Sequence, residues 1–238
     1  MTSELSESSS PGVLFKVHPS VQDFLLSPPT YKARHFAQGN SRHGNPNFLA
    51  TGAIVFERPL HSVRTSALKT PPRVLLVQRA PHDSMPLLWE TPGGGCDDDD
   101  TTILHSCARE LKEEAGLDAT SVGPLVRCPA ASAEIATEDG RGKEEFEFAE
   151  AIGCHSFFTR RGKLVFKFYF MLEVKQPANV LLDPNEHVAY LWATEDEVRN
   201  KRMESEGGKE GIELNFTTEE QRSVLLEAFK QWNNHMVE

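Results

Sequence analysis

A run of three glycines feeding an amphipathic helix limits the folds open to this chain more than any other feature. Pro92-Gly93-Gly94-Gly95 makes a flexible turn, the acidic run Asp97 to Asp100 follows, and Thr102 to Ala115 then reads as a helix. Within it Ile103, Leu104, Cys107, Ala108, Leu111 and Ala115 recur at three- and four-residue spacing, which gathers them into one apolar face. Thr101 or Thr102 can cap its start, and Gly116 supplies a C-terminal stop. The apolar face must lie on a core, so the register is fixed. Glu110, Glu113 and Glu114 stand at i, i+3 and i+4 and share the face turned away from that core. Three like charges in this spacing repel by a few tenths of a kcal/mol per pair. A cation beside the glycine turn would offset that repulsion. Oxygen donors suit hard divalent ions, and Mg²⁺ or Mn²⁺ takes a few carboxylates together with water and phosphate oxygens. The spacing therefore leads us to expect a divalent cation on this face of the helix. Arg109 lies one helical turn before Glu113 and can hold that carboxylate in place.

Strands outnumber helices around this segment. Phe48 to Phe56, Arg73 to Gln78 and Leu88 to Thr91 are rich in β-formers. Further strands are expected near Val126, at Ala133 to Ala136, at Phe146 to Ile152 and at Ala189 to Ala193. Leu164 to Val174 is almost continuously apolar apart from Lys167, the pattern of a strand covered on both faces. Val21, Phe24 and Leu25 have helical spacing, and Pro28-Pro29 is expected to close that segment before a polar loop, Lys32 to Pro46. Glu195 to Lys201, capped by Thr194, and Thr217 to Trp232 read as helices. Without βαβ alternation the pattern favours a mixed α+β domain. Residues 1–12 read as a disordered tail, 13–47 as an extension packing on the domain, and 48–238 as the domain itself.

The formal net charge of −10 argues against nucleic acid or an anionic membrane as the partner, since both favour a basic surface. It leaves room for an anionic small molecule, because a bound metal ion inverts the local field. No apolar run approaches the roughly 18 residues of a membrane helix. The four cysteines form no C-x-x-C pair, as in a reduced intracellular protein. A cytoplasmic, or alternatively nuclear, location is expected. The apolar face of the C-terminal helix could pack on its own core or on a second copy in a homodimer.

The segment from Gly94 to Leu117 resembles the Nudix box, G-x5-E-x7-R-E-U-x-E-E-x-G-U, with U a bulky aliphatic residue. Arg109-Glu110-Leu111-x-Glu113-Glu114-x-Gly116-Leu117 matches every fixed position of its second half, and Gly94 matches its opening glycine. Asp100 stands where the family has Glu, and eight residues rather than seven separate it from Arg109. One inserted residue before the helix accounts for both departures. Gln78-Arg79, Trp89-Glu90 and Asn185-Glu186-His187-x-x-Tyr190-x-Trp192 extend the resemblance.

The resemblance implies an α/β/α sandwich with a mixed central sheet. It also implies metal-dependent hydrolysis of a nucleoside diphosphate linked to another moiety, or of a related organic diphosphate. Glu110, Glu113, Glu114 and the Gly93 carbonyl would ligate Mg²⁺ or Mn²⁺, with Arg109 orienting the carboxylates. Asp97 and Asp100 would reach a second ion through water. The proton acceptor is either Glu113 within the box or Glu186 from the later loop. Arg79, Gly94 and Arg160 are candidate substrate contacts. Trp89, Phe166, Phe168 and Tyr169 would either stack on a base or pack in the core. The altered loop spacing leaves a second reading, a non-hydrolytic Nudix-fold protein that binds a nucleotide.

Overall fold

The structure, a computed structural model, describes residues 15–36, 45–57, 71–129, 149, 152–176, 178–203 and 211–235. Strands β1 (Lys16–Val17), β2 (Phe48–Glu57), β3 (Arg73–Arg79), β4 (Trp89–Glu90), β5 (Ala119–Val126), β6 (His155–Phe158), β7 (Leu164–Val174) and β8 (His187–Thr194) form one sheet. Its order is β1-β5-β7-β2-β3-β4, with β6 paired to β7 and β8 to β3. β2 runs parallel to β7 and β1 parallel to β5, while the remaining pairs are antiparallel, so the sheet is mixed. A separate ribbon pairs β9 (Arg202–Met203) with β10 (Ile212–Glu213).

Helices cover both faces. A 3-10 helix (Pro19–Leu25), α1 (Pro28–Phe36) and α2 (Ile103–Ala115) pack on one side, and α3 (Glu195–Asn200) and α4 (Glu219–His235) on the other. β7 lies between the two cores. Its side chains alternate with period two, so Phe166, Phe168 and Phe170 face the α2 layer and Tyr169 faces the α4 layer. Cover on both faces explains why its sequence lacks polar alternation. The fold is the α+β sandwich with a mixed sheet that the sequence implied.

The elements differ from expectation in identifiable places. Pro28-Pro29 opens α1 rather than closing the segment. A proline fits the first turn of a helix because its φ is already helical and its missing N–H has no partner there. The Ser27 hydroxyl accepts the Thr30 N–H, and Tyr31 and Phe36 of α1 are buried against the sheet, Tyr31 packing 5.7 Å from Phe168. Part of the expected loop 32–46 is therefore helix. Ala149 and Ile152, the described residues fully within the strand expected at 146–152, apart from the turn that follows, are helical, and 133–136 lies outside the described residues. β5 begins at Ala119, well before Val126, and the short β6 matches no expected element.

Candidate active site

β4 and the glycine run deliver the site. Trp89 and Glu90 pair with Gln78 and Val77 of β3, and the chain then crosses to run beside β2. The Pro92 carbonyl accepts the Ala53 N–H (2.7 Å) and the Gly94 carbonyl the Thr51 N–H (2.9 Å), while the Cys96 N–H donates to the Leu49 carbonyl (2.9 Å). Two glycines are required here for different reasons. Gly93 has a φ of +146°, and a Cβ on it would lie 2.2 Å from the Thr51 carbonyl oxygen. A Cβ on Gly94 would lie 2.6 Å from the Glu110 carboxylate, so its absence leaves room for that side chain.

α2 follows in the expected register. The Thr102 hydroxyl accepts the His105 N–H, and Gly116 ends the helix in the left-handed region, its N–H donating to the Lys112 carbonyl. Ile103, Leu104, Cys107, Leu111 and Ala115 are buried.

Arg109 organises the exposed side. Its Nε and Nη2 donate to the two oxygens of Asp100 (3.1 and 3.0 Å). Nη1 donates to Glu110 (2.8 Å) and Glu113 (2.9 Å), and Nη2 also to the Gly95 carbonyl (3.1 Å). Hydrogen bonding to Asp100, ahead of the other contacts, raises the Arg109 pKa above its ordinary value. Burial alone would raise the Asp100 carboxyl, but the bonds from Arg109, Ser106 and the Asp97 amide hold it below the usual carboxylate range. The extra residue is thus absorbed in a turn, where the Asp97 N–H donates to Asp100 (2.9 Å) and the Asp100 N–H to the Asp97 carbonyl (3.1 Å). The turn presents both oxygens of one carboxylate to the Nε–Nη2 edge of the guanidinium despite the altered spacing.

Glu114 is a different kind of residue, a carboxylate only 6% exposed. The Gly93 N–H donates to it at 2.6 Å. Burial pushes its carboxyl up to about 9; the Gly93 bond opposes that shift, and the charges of Glu90 and Glu110 add to it. Burial also raises Glu110, against the pull of Arg109.

The expected convergence of all three box glutamates is not what the side chains adopt. Glu110 and Glu113 turn to Arg109, because like charges separate and a guanidinium lies between them. The close set among the described residues is instead Glu114, Glu186 and His187, whose ligating atoms lie within 4.8 Å of one another. Glu186 is positioned by its backbone. Its carbonyl accepts the Ala80 N–H (2.8 Å), and the N–H groups of Glu186 and His187 both donate to the Asp183 carbonyl (3.1 and 2.8 Å).

His187 was not among the expected site residues. It stood in the Asn185-Glu186-His187-x-x-Tyr190-x-Trp192 run that extends the resemblance, but only its neighbour Glu186 was given a role there. Its ring is 3% exposed, with Nε2 3.4 Å from Glu90 and Nδ1 buried without a hydrogen-bond partner among the described residues.

Several expected substrate contacts have other work. Arg79 is clamped between Glu90 (2.5 Å) and Asp83 (2.9 Å) and braces the β3–β4 corner instead of standing free for phosphate. Burial lowers its pKa, but Glu90 and Asp83 together carry it above the ordinary value. Trp89 is 3% exposed in the α4-side core and offers no open face to a base; Phe166, Phe168 and Tyr169 are buried likewise. The Gly94 backbone is held against β2. Arg160 lies in the β6–β7 turn, where its Nη2 donates to the Ser84 carbonyl (2.9 Å).

A sequence profile of the NUDIX domain matches residues 60–213, more than half of the chain. The chain belongs to the Nudix hydrolase family. Its Nudix box is the segment from Gly94 to Leu117, and the Arg109–Asp100 pair lies inside it. Solved structures to which the chain is similar include the MutT protein from Methanosarcina mazei Go1, 18% identical over 78% of this chain and 94% of that one, with a TM-score of 0.48. A C. elegans Ap4A hydrolase in a binary complex is 17% identical over 79% and 98%, also with a TM-score of 0.48. The NUDIX domain of Shewanella oneidensis NrtR, complexed with ADP ribose, is 14% identical over 84% and 97%, with a TM-score of 0.49. No curated protein matches the sequence. Among the described residues no helix of this Nudix protein is long and apolar enough to cross a membrane.

Proposed function

We propose that the protein is a divalent-metal-dependent hydrolase that cleaves the diphosphate bond of a nucleoside diphosphate linked to another moiety, or of a related organic diphosphate. The observation that carries the reading is Glu114. A carboxylate this buried, facing Glu90 and Glu110 and within 4.8 Å of Glu186, is strongly disfavoured as an anion unless a cation joins it. The donor set fits Mg²⁺ or Mn²⁺, which prefer carboxylate and carbonyl oxygens. Glu110, Glu113, Glu114 and the Gly93 carbonyl would hold the ion.

When bound, the ion supplies charge neutralisation for the diphosphate and a lowered pKa for coordinated water. The protein supplies the rest. Arg109 keeps Glu110 and Glu113 on the site side of α2 through its bonds to both. Glu186, exposed and beside Glu114, takes the proton of the attacking water. It is freer for this than Glu113, which would serve as a ligand of the ion with Arg109 orienting it. Of the two candidate arginines, Arg160, on the surface near the 81–88 loop, is the one free of a carboxylate partner among the described residues and would meet a polyphosphate.

The pairing of Arg109 with Asp100 supports hydrolysis over the non-hydrolytic alternative, because the inserted residue was the one departure favouring the latter. The test is turnover with Mg²⁺ or Mn²⁺ on a panel of nucleoside diphosphate sugars, dinucleotides, modified nucleotides, diphosphoinositol phosphates and isoprenoid diphosphates. Turnover that Glu113→Gln and Glu114→Gln lose supports the proposal. Tight nucleotide binding with no turnover across the panel would favour the binding protein.

A further inference from the structure

We infer that His187 lends a ring nitrogen to the divalent-cation site anchored by Glu114, making it a mixed nitrogen–oxygen site. The inference rests on the metal-site reading above and adds a ligand that the box does not contain.

Three observations carry it. A ring nitrogen of His187 and carboxylate oxygens of Glu114 and Glu186 lie within 4.8 Å of one another. Ligands around an ion with bonds of about 2.1 Å stand about 3 to 4 Å apart, so a small inward adjustment brings the His187 nitrogen and a Glu114 oxygen onto one centre, with Glu186 beside it. The second observation is burial. The His187 ring is 3% exposed, and its Nδ1 has no hydrogen-bond partner among the described residues. A buried ring nitrogen left unpaired costs free energy, and a metal ion would remove that cost. The third is the Glu90 carboxylate, 3.4 Å from Nε2 and itself held by Arg79 at 2.5 Å. A neutral imidazole has one N–H and one bare nitrogen. A histidine that gives its N–H to a fixed carboxylate and keeps the other nitrogen bare is the arrangement seen around metal-bound histidines. The chain Arg79–Glu90–His187 therefore has a purpose beyond closing the β3–β4 corner: it holds the ring in place beside Glu114.

An imidazole ligand changes which ion the site prefers. Mg²⁺ binds nitrogen poorly, whereas Mn²⁺ and its first-row neighbours accept it. The site is thus expected to bind Mn²⁺ more tightly than Mg²⁺.

The test uses the full chain loaded with one equivalent of Mn²⁺, without substrate. Electron spin echo envelope modulation should show a directly coordinated ¹⁴N, replaced by the ¹⁵N pattern when histidine is ¹⁵N-labelled. His187→Gln should abolish the signal and weaken Mn²⁺ binding by roughly tenfold or more. Bound Mn²⁺ with no nitrogen coupling in the unmodified protein would overturn the His187 assignment and leave the carboxylate site standing. Failure to bind Mn²⁺ at all would overturn both. Because the decisive spectrum is that of the unmodified protein, a variant that misfolds does not protect the inference.

Discussion

Replacing Glu114 by Gln should make the metal-free protein more stable and the enzyme inactive. The carboxyl has an ordinary value of 4.5 and is pushed up to about 9 in the folded chain, first by burial and then by Glu90 and Glu110. A carboxyl with a raised folded pKa takes up a proton on folding between those two values. The metal-free protein therefore loses stability as pH rises from about 4.5 to about 9. At pH 7 the shift spans roughly 2.5 pH units beyond the ordinary value, which at about 1.4 kcal/mol per unit is on the order of 3 kcal/mol. Glutamine keeps the oxygen that accepts the Gly93 N–H and removes the charge. For a chain of this size, 3 kcal/mol corresponds to roughly 6 to 12 °C in Tm. Thermal unfolding at pH 7 in chelator, for both proteins, is the assay. Glu114→Gln should melt higher and show a flatter pH profile. Adding saturating Mg²⁺ should reverse the order, because binding to the native state stabilises the unmodified protein and not the variant. A variant that melts lower without metal, or gains as much from Mg²⁺ as the unmodified protein, would refute the reasoning.

Other substitutions probe the supports of the site. Arg109→Ala leaves Asp100, Glu110 and Glu113 without their shared cation. It should cost about 2 kcal/mol by urea denaturation, less than a fully buried pair because the side chain retains 28% exposure; a cost below 0.5 kcal/mol would contradict its role as organiser. Gly93→Ala forces a Cβ to 2.2 Å from the Thr51 carbonyl at a φ of +146°, so it should destabilise by roughly 3 kcal/mol or prevent soluble expression. An alanine protein with unchanged Tm would show that the turn is looser than described. Glu186→Gln, at an exposed position, should leave Tm within about 2 °C while lowering kcat by roughly 10²- to 10⁴-fold; unchanged kcat would remove Glu186 as proton acceptor.

What could be read from the chain depended on how local the determining physics was. α2 was legible because its apolar spacing, its Thr102 cap and its Gly116 stop all lie within the segment. β7 was legible because cover on both faces leaves its mark on every residue. α1 was not, since a Pro-Pro pair marks a break and a helix start equally well. Only the burial of Tyr31 and Phe36 against the sheet distinguishes the two. The site divided along the same line. Arg109, Glu110, Glu113 and Glu114 are fixed by one helix, so their spacing was informative. The partners of Arg79 and the surroundings of His187 come from β4, β8 and the 81–88 loop, which lie far apart in sequence. Trp89 illustrates the converse: beside the glycine turn it resembled a stacking residue, and the packing of α4 made it core. That Arg109 also takes Glu110 and Asp100 was not legible, because Asp100 reaches it from the turn before the helix.

The claim that most needs testing is that water attacks a diphosphate at a cation held by the box glutamates. Turnover of the best substrate from the panel in H₂¹⁸O, with the products analysed by mass spectrometry, tests it most directly. The account predicts one ¹⁸O in a phosphate product per turnover, only when Mg²⁺ or Mn²⁺ is present, and incorporation lost in Glu114→Gln. Label entering at the same rate in chelator, or undiminished in Glu114→Gln, would contradict it.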